Sequence, residues 1–388
     1  MYQRDLAEVK DFIRLPAFVK KIVEEDYTYE KLAQLIPAEV MKNARRVILT
    51  GNGDSYCASL ALRIFFEKML HMSDVVAERC IDVGRHFYFN SDEDLSQTLV
   101  FVTSASGTGA RVAEAMRRCS KKGCSTFAVT ASADSLIAKD AKFVLAETGE
   151  KVYDYHYSTQ SFTYVNAMVN LYLVALYGGV VRGVITPERE RELRTELVRY
   201  AESFVPVLDD IDTQMYELAL SWADTIGYDF VGTGVDIAAA YFGAAKFFEY
   251  AGSINMYSDS EDWNHINFFM RDRALLGTCV AASKGNESLS RTIETIGGMV
   301  KSDRRVLVVT ECAPDQFPAG VTVCQLPDTT VLEFKPLMNF IPFTLLGFHI
   351  ARMRDLGFFV SDGGYGTGPL FAEEDMNKIK TSEIVYID

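Results

Sequence analysis

Three hydroxyl side chains fall within five residues at Ser104-Ala105-Ser106-Gly107-Thr108, between a β-rich run and a helical stretch. Hydroxyls and a glycine-permitted turn at a helix start give donors that converge on an anion, because free N–H groups and the helix dipole favour negative charge there. The competing reading is an ordinary helix cap, since Ser and Thr are common caps. One cap needs one hydroxyl, so three favour a phosphate. A second turn, Gly51-Asn52-Gly53-Asp54-Ser55, sets Ser55 near the start of its own helix, as a cap or as a second phosphate donor. It is not a dinucleotide fingerprint, because Tyr56 stands where a third glycine would be. Farther on, Lys246 and Glu249 are spaced i,i+3 on one face of an apolar stretch, Asp236–Tyr250. Such a pair is either an exposed salt bridge or part of a site. Small residues at 238–240 and 243–245 imply close packing, which favours a carboxylate in a partly apolar cleft, able to move a proton next to a carbonyl. His265, in Glu261-Asp262-Trp263-Asn264-His265, is the remaining candidate, and a lone histidine is more often structural than catalytic.

These residues need elements to hold them. Residues 45–50 and 98–103 read as strands, each followed by one of the turns above and then by a helix, the opening of a parallel α/β unit. Residues 125–130 and 142–146 are two more strands, and 159–180 a long buried helix. Pro16 and Pro37 break residues 5–44 into two or three helices. The order then repeats. Residues 228–234 match 47–53 at an offset of 181, the run at 279–287 follows 102–108 at about 178, and 305–310 match 125–130 at 180. Three matches in one order point to a tandem duplication of a doubly wound domain. The charged run 186–202, with Thr186 as a cap and Pro187 at the first helical position, reads as a solvated connection between the halves. The expected organisation is helices over 1–44, one domain over 45–195, a second over 196–375 and a tail over 376–388.

Composition narrows the partners. The chain has 388 residues, enough for two domains, and a formal net charge of −14, which argues against nonspecific nucleic-acid binding and against an anionic membrane surface. No apolar run free of charges and glycines reaches spanning length, and the first residues carry charge with no signal-like apolar stretch. Seven scattered cysteines without a CxxC pair fit reduced thiols in a cytosol. Five histidines show neither a cluster nor an HExxH pair, so no metal site is expected.

On these residues the chain resembles the sugar isomerase (SIS) domain family in its tandem form. The layout is that of the isomerase half of glucosamine-6-phosphate synthase and of the related ketosamine-6-phosphate deglycases and amino-sugar-phosphate deaminases. Residues 51–56 resemble the family's GTSY-type turn, and 104–109 its S-x-S-G-x-T loop. Residues 245–249 with 262–265 resemble its A-L-K-x-x-E helix and E-x-x-H segment, and Glu249 and His265 keep the family's separation. The resemblance implies two flavodoxin-like three-layer sandwiches and a phosphosugar substrate, with no cofactor. It makes Glu249 the base between C1 and C2, has His265 assist ring opening from the neighbouring subunit of a homodimer, and has Lys246 hold or polarise the open chain. Ser55, Ser104, Ser106 and Thr108 would hold the phosphate. Gly53, Ser158, Thr159, Gln160 and one of Lys378 or Lys380 would contact the sugar. Several positions depart from the family: Gly109 stands for the last threonine of the loop, Ala105 for a glutamine, Gln160 for a lysine and Asp262 for a glutamate. Residue 2 is Tyr where a glutaminase domain would need its cysteine, so the expected chemistry runs without glutamine, in the amine-releasing direction. Two rivals remain: a non-catalytic phosphosugar-binding regulator, which needs neither Glu249 nor His265, and a nucleotide-binding oxidoreductase, whose glycine fingerprint is missing.

Overall fold

A computed structural model describes residues 3–90, 92–147, 161–360, 378–379 and 381–387. The chain divides into two compact units, each built on one five-stranded parallel sheet. The first sheet holds β1 (Arg46–Gly51), β2 (Val75–Arg79), β3 (Thr98–Thr103), β4 (Ser125–Thr130) and β5 (Phe143–Ala146), in the order β2-β1-β3-β4-β5. The second holds β6 (Gly227–Val231), β7 (Asn255–Ser258), β8 (Leu276–Ala281), β9 (Arg305–Thr310) and β10 (Thr322–Gln325), in the order β10-β9-β8-β6-β7. Relabelled from its own first strand, the second order is the same as the first. Both are the flavodoxin-like order, in which ligands bind beyond the carboxyl ends of the strands where the winding reverses. That switch lies between β1 and β3 in one sheet and between β6 and β8 in the other.

The first unit comprises residues 17–147, 161–198 and 378–387 of those described. Its central strands are buried on both faces, as parallel sheets require, and alternate residues serve opposite layers. Ile48, Val100, Val102 and Ala128 pack with Met116 and Cys119 of the helix Ala110–Lys121. On the other face Phe101 stacks on Phe127 at 4.4 Å and meets Phe66 at 5.1 Å. That layer belongs to the helices Asp54–Leu70 and Ser161–Val181, with Phe65 edge-on to Tyr172 at 5.0 Å. The 161–181 helix is apolar all round because it is enclosed: it is long and apolar enough to cross a membrane, yet 89% of it is buried in the protein.

The charged stretch at 186–202 is more than a solvated connection. It forms the helix Pro187–Glu202, and Thr186 Oγ1 accepts the Arg189 N–H at 3.2 Å, as the cap reading expects. It is not merely solvated, however. Glu190 and Arg194 are buried and paired, and Arg194 also donates to the carbonyls of Val23 and Tyr27. An Arg–Glu pair at i,i+4 looks like a surface pattern in sequence; here it caps carbonyls of a preceding segment. Pro16 does mark a break: it occupies the second position of the helix Leu15–Lys21, where no N–H is needed, just after the helix Ala7–Phe12 ends, and Pro37 separates Tyr29–Leu35 from Ala38–Asn43.

The second unit comprises residues 3–16 and 199–360 of those described. Phe230 of β6 meets Phe247 at 4.9 Å and Phe343 at 5.7 Å, joining the helices Ile237–Ala251 and Ile341–Met353 to the sheet. Close approach is what the small residues allow: a Cβ on Gly243 would lie 2.8 Å from the Phe230 ring, and one on Gly347 2.9 Å from Phe247. Each fully buried aromatic of this kind is worth roughly 1.5–3 kcal/mol. Their packing fixes the 237–251 helix, which carries Lys246 and Glu249.

Candidate active site

At the switch point of the first sheet two glycine turns follow adjacent strands. Gly51 closes β1 so tightly that a Cβ would sit 2.5 Å from the Ser55 carbonyl carbon, and Gly53 adopts φ +52° just before the 54–70 helix. Ser55 is therefore in the first turn of that helix, half-buried. After β3, Gly107 adopts φ +62°, and a Cβ there would meet Ser135 at 2.4 Å. The loop is braced from beneath by the Ala131 N–H and Thr130 Oγ1, which both donate to the Ala105 carbonyl, and by the Ile137 N–H, which donates to the Gly107 carbonyl.

The three hydroxyls of that loop are arranged in a graded way. Ser104 Oγ accepts the Gly107 N–H at 3.1 Å, which tightens the turn. Ser106 Oγ accepts the Thr108 N–H at 3.4 Å and the Thr108 hydroxyl at 3.1 Å, and both of these side chains are exposed. The N-cap position of the 110–121 helix falls on Gly109, so none of the three hydroxyls occupies it. The turn thus presents two exposed hydroxyls and a half-buried one at the start of a twelve-residue helix, a polar concavity suited to phosphate oxygens.

The switch point of the second sheet repeats the backbone and changes the side chains. Gly234 and Gly285 again have positive φ, at +62° and +85°, and Thr310 Oγ1 donates to the Ala282 carbonyl, one position earlier in the loop than the Ala105 carbonyl that Thr130 holds. Asp236 takes the place of Ser55, and Ala282, Lys284 and Asn286 take the places of Ser104, Ser106 and Thr108. The Asp236 carboxylate is fully buried and accepts from Ser283 N and Oγ at 3.0 and 2.6 Å and from Asn286 Nδ2 at 2.8 Å. Glu311 accepts from Lys335 Nζ at 2.8 Å and from the Lys284 N–H at 2.8 Å, both side chains of the ion pair being buried. Burial pushes the pKa of both carboxyls up, against the lowering by their hydrogen bonds and by Lys335. A phosphate here would face two buried carboxyls.

On the 237–251 helix, Lys246 is fully buried, and its Nζ donates to Glu249 Oε2 at 2.6 Å while lying 4.7 Å from the Phe242 ring centre. Glu249 keeps 26% of its side chain exposed. The pair is neither a surface salt bridge nor a closed core one: a buried ammonium fixes the rotamer of a carboxylate that still reaches solvent, the arrangement a general base needs. Farther along, His265 ends the short helix Asp262–His265 with 69% of its side chain exposed, its Nε2 3.1 Å from Glu261 Oε1. Glu261 also accepts from Arg291 at 2.7 Å, and these two partners, Arg291 first, hold its pKa below the usual range. Asn264, beside His265, donates to the Ser260 carbonyl at 2.7 Å and to Thr295 Oγ1 at 2.9 Å.

Ser158, Thr159, Gln160 and Lys380 lie outside the described residues. Lys378 is exposed with φ +55°. The chain beyond it runs along the 110–121 helix: Arg111 donates to Ser382 Oγ at 3.1 Å, the Val385 N–H donates to buried Glu114 at 2.6 Å, and Arg117 lies over the Tyr386 ring at 4.4 Å. Glu114 also holds Arg85 through both oxygens.

A profile of the SIS domain matches residues 40–175. Residues 40–175 are a SIS domain. The span takes in both glycine turns, β1 to β5 and most of the 161–181 helix. The chain is 25% identical over 321 residues to glutamine–fructose-6-phosphate aminotransferase (isomerizing) of Clostridium tetani, covering 81% of this chain and 50% of that protein. It therefore spans about half the length of the curated relatives it matches. Among solved structures, the C-terminal domain of glucosamine-fructose-6-phosphate aminotransferase from Francisella tularensis superposes with a TM-score of 0.77 at 16% identity, covering 89% of this chain and 96% of that one. Tagatose-6-phosphate ketose/aldose isomerase from Escherichia coli superposes with a TM-score of 0.69 at 14% identity, covering 90% and 93%. The second sheet, beyond the matched span, repeats the SIS domain's strand order, so the chain carries the tandem SIS fold.

Sequence reasoning missed three residues around these turns. Arg79, at the end of β2 opposite Gly51, lies over the Tyr56 ring at 4.8 Å, an exposed cation beside the first turn. Nothing in VVAER marks it. Ser135 presses against Gly107 and has a buried hydroxyl without a hydrogen-bond partner among the described residues. Asp229 did leave a signal: a carboxylate in the middle of a buried parallel strand needs partners, and its apolar neighbours Tyr228, Phe230 and Val231 announce that strand.

Proposed function

We propose that this chain is an enzyme that moves a proton between C1 and C2 of an amino- or amine-linked hexose 6-phosphate and releases the amine. The observation that carries the reading is the buried Lys246 clamping a solvent-reaching Glu249, because a protein that only binds a phosphosugar has no use for a positioned base. Ser55, Ser104, Ser106 and Thr108 hold the phosphate. For a ketosamine, Glu249 takes a C1 proton to give an enolamine and returns it to C2; the C1 imine that results is hydrolysed by water to the aldose 6-phosphate and free amine. The same proton transfer without a nitrogen substituent is aldose–ketose isomerisation, the second reading, which the fold shared with a ketose/aldose isomerase favours.

His265 assists ring opening and is contributed across a homodimer interface. Its exposure supports this, as do the exposed Phe248, Ile254, Ile266 and Phe269 of the same unit, an apolar group that a second copy would cover. Gly53, Ser158, Thr159, Gln160 and one of Lys378 and Lys380 contact the sugar. The chain acts in the cytosol, as its seven free, buried cysteines suit.

The test is a panel of hexose 6-phosphates, glucosamine 6-phosphate and fructosamine 6-phosphates, following amine release and ketose–aldose exchange. Amine release supports the proposal; exchange alone selects the isomerase; tight binding with neither leaves a sensor. Glu249→Gln should keep phosphosugar binding and lose about 100-fold or more in turnover. Unchanged turnover in that variant removes the mechanism.

A further inference from the structure

The segment that carries His265 is short and exposed, yet its neighbours are bound to one buried group. Trp263 Nε1 donates to Asp229 Oδ2 at 2.8 Å, and Asn267 Nδ2 donates to the same oxygen at 3.3 Å. Arg304 completes the cluster: its guanidinium lies 3.4 Å from Asp229 Oδ2, donates to the Asn267 carbonyl at 3.0 Å and sits 5.5 Å from the Trp263 ring centre. Asp229, Trp263, Asn267 and Arg304 are all buried, whereas His265 and Ile266 between them are exposed. The backbone is thus tied down two residues before and two residues after the imidazole.

A carboxylate in the interior is costly unless it is paired and hydrogen-bonded, and a tryptophan would pack equally well in an apolar site. Asp229 lies on β6, which the sheet holds rigid through pairs to β7 and β8. Its three partners translate that rigidity to a helix of four residues, too short to hold its own geometry. We infer that Asp229 and Arg304 are positioning residues that act through Trp263 and Asn267 to fix His265 for ring opening. The inference rests on the role proposed for His265. In that step the imidazolium gives a proton to the ring oxygen as the C2–O5 bond breaks, and water takes the proton of the anomeric hydroxyl as the carbonyl forms.

A role in ring opening alone can be separated from a role in folding. The substrates are a ketohexose or ketosamine 6-phosphate that the protein turns over and its 5-deoxy analogue, which has no hydroxyl with which to close the ring. The variants are His265→Gln, Asp229→Asn, Asp229→Leu and Trp263→Phe, the last keeping an aromatic ring and the Asp229–Arg304 pair, so that it carries the test if the Asp229 variants do not fold. The expected result is a loss of about 10- to 100-fold in kcat on the ring-closed substrate for Trp263→Phe, with KM and turnover of the 5-deoxy analogue kept. Asp229→Asn, which retains an oxygen acceptor for the indole, should lose less than Asp229→Leu. If His265→Gln shows the selective loss and Trp263→Phe does not, the positioning inference is overturned and the role of His265 stands. If His265→Gln spares the ring-closed substrate, both fall. Equal losses on the two substrates in Trp263→Phe also overturn it, because they mark general disruption.

Discussion

The two switch points share a backbone and differ in what fills it. Both have a glycine after the first strand whose Cβ would strike the following helix, at 2.5 Å for Gly51 and 2.2 Å for Gly232, and both have a left-handed glycine in the second turn. These constraints come from turning a strand into a helix within a few residues, and they hold whether or not a ligand binds. Ligand choice rests on the side chains around them. The first half has hydroxyls with capacity to spare at Ser55, Ser104, Ser106 and Thr108. In the second, Asp236 and Glu311 take up the donors of their own loop, and Lys335 supplies the positive charge from within the protein. A duplicated fold keeps its turns because it must fold twice, whereas the side chains around those turns are free to differ.

The strongest way to break this comparison is to remove the internal cation. Lys335→Met leaves Glu311 buried without its ammonium, so it should cost about 3–5 kcal/mol in stability by denaturant titration. Phosphosugar affinity of the folded fraction should stay as it is. Next is the reverse transplant, Ser55→Asp, which puts the second half's carboxylate into the first. Like charges at close range cost several kcal/mol, so KM for the sugar phosphate should rise about 100-fold or more, with kcat at saturation little changed. A gentler change is Ser104→Ala with Ser106→Ala. Hydrogen bonds to a charged group are worth about 1.5–3 kcal/mol, so calorimetry should find affinity down at least ~10-fold. Unaltered affinity would mean that the turn serves the fold only.

The smallest effect concerns pH. Burial raises the Asp236 pKa above its ordinary value of about 4, so the folded state binds more protons than the unfolded one between those two values. Stability contributed by this group is therefore full below the ordinary value and is lost as pH rises through the raised one. Thermal unfolding of the wild type should fall relative to Asp236→Asn across that window and run parallel above it. A constant difference at all pH values would mean that the ionisation of Asp236 does not contribute to stability.

Much of this architecture could be read in advance, for identifiable reasons. The offsets of 181, 178 and 180 reappear as β1 and β6, β3 and β8, and β4 and β9, because interior strands of a parallel sheet are continuous apolar runs. The edge strand Asn255–Ser258 is short and half-polar, and nothing in NMYS announces it. The identity of Asp236 as the counterpart of Ser55 is present in the 181 offset, and a carboxylate at that place is already a sign against phosphate. The Lys335–Glu311 pair is not legible, because 24 residues separate the partners and only the tertiary fold joins them. The same holds for Asp229 and Arg304. Local turn chemistry and strand periodicity survive in sequence, whereas the partners of a buried charge are chosen in three dimensions.

We propose that phosphate is held by the hydroxyl turns of the first half and refused by the second. Calorimetric titration of the intact chain with a hexose 6-phosphate tests it most directly. One site per chain is expected, weakened at least ~10-fold in Ser104→Ala with Ser106→Ala and kept in Asp236→Asn. Two sites per chain, or one whose affinity is unaltered by loss of both serines, would contradict it.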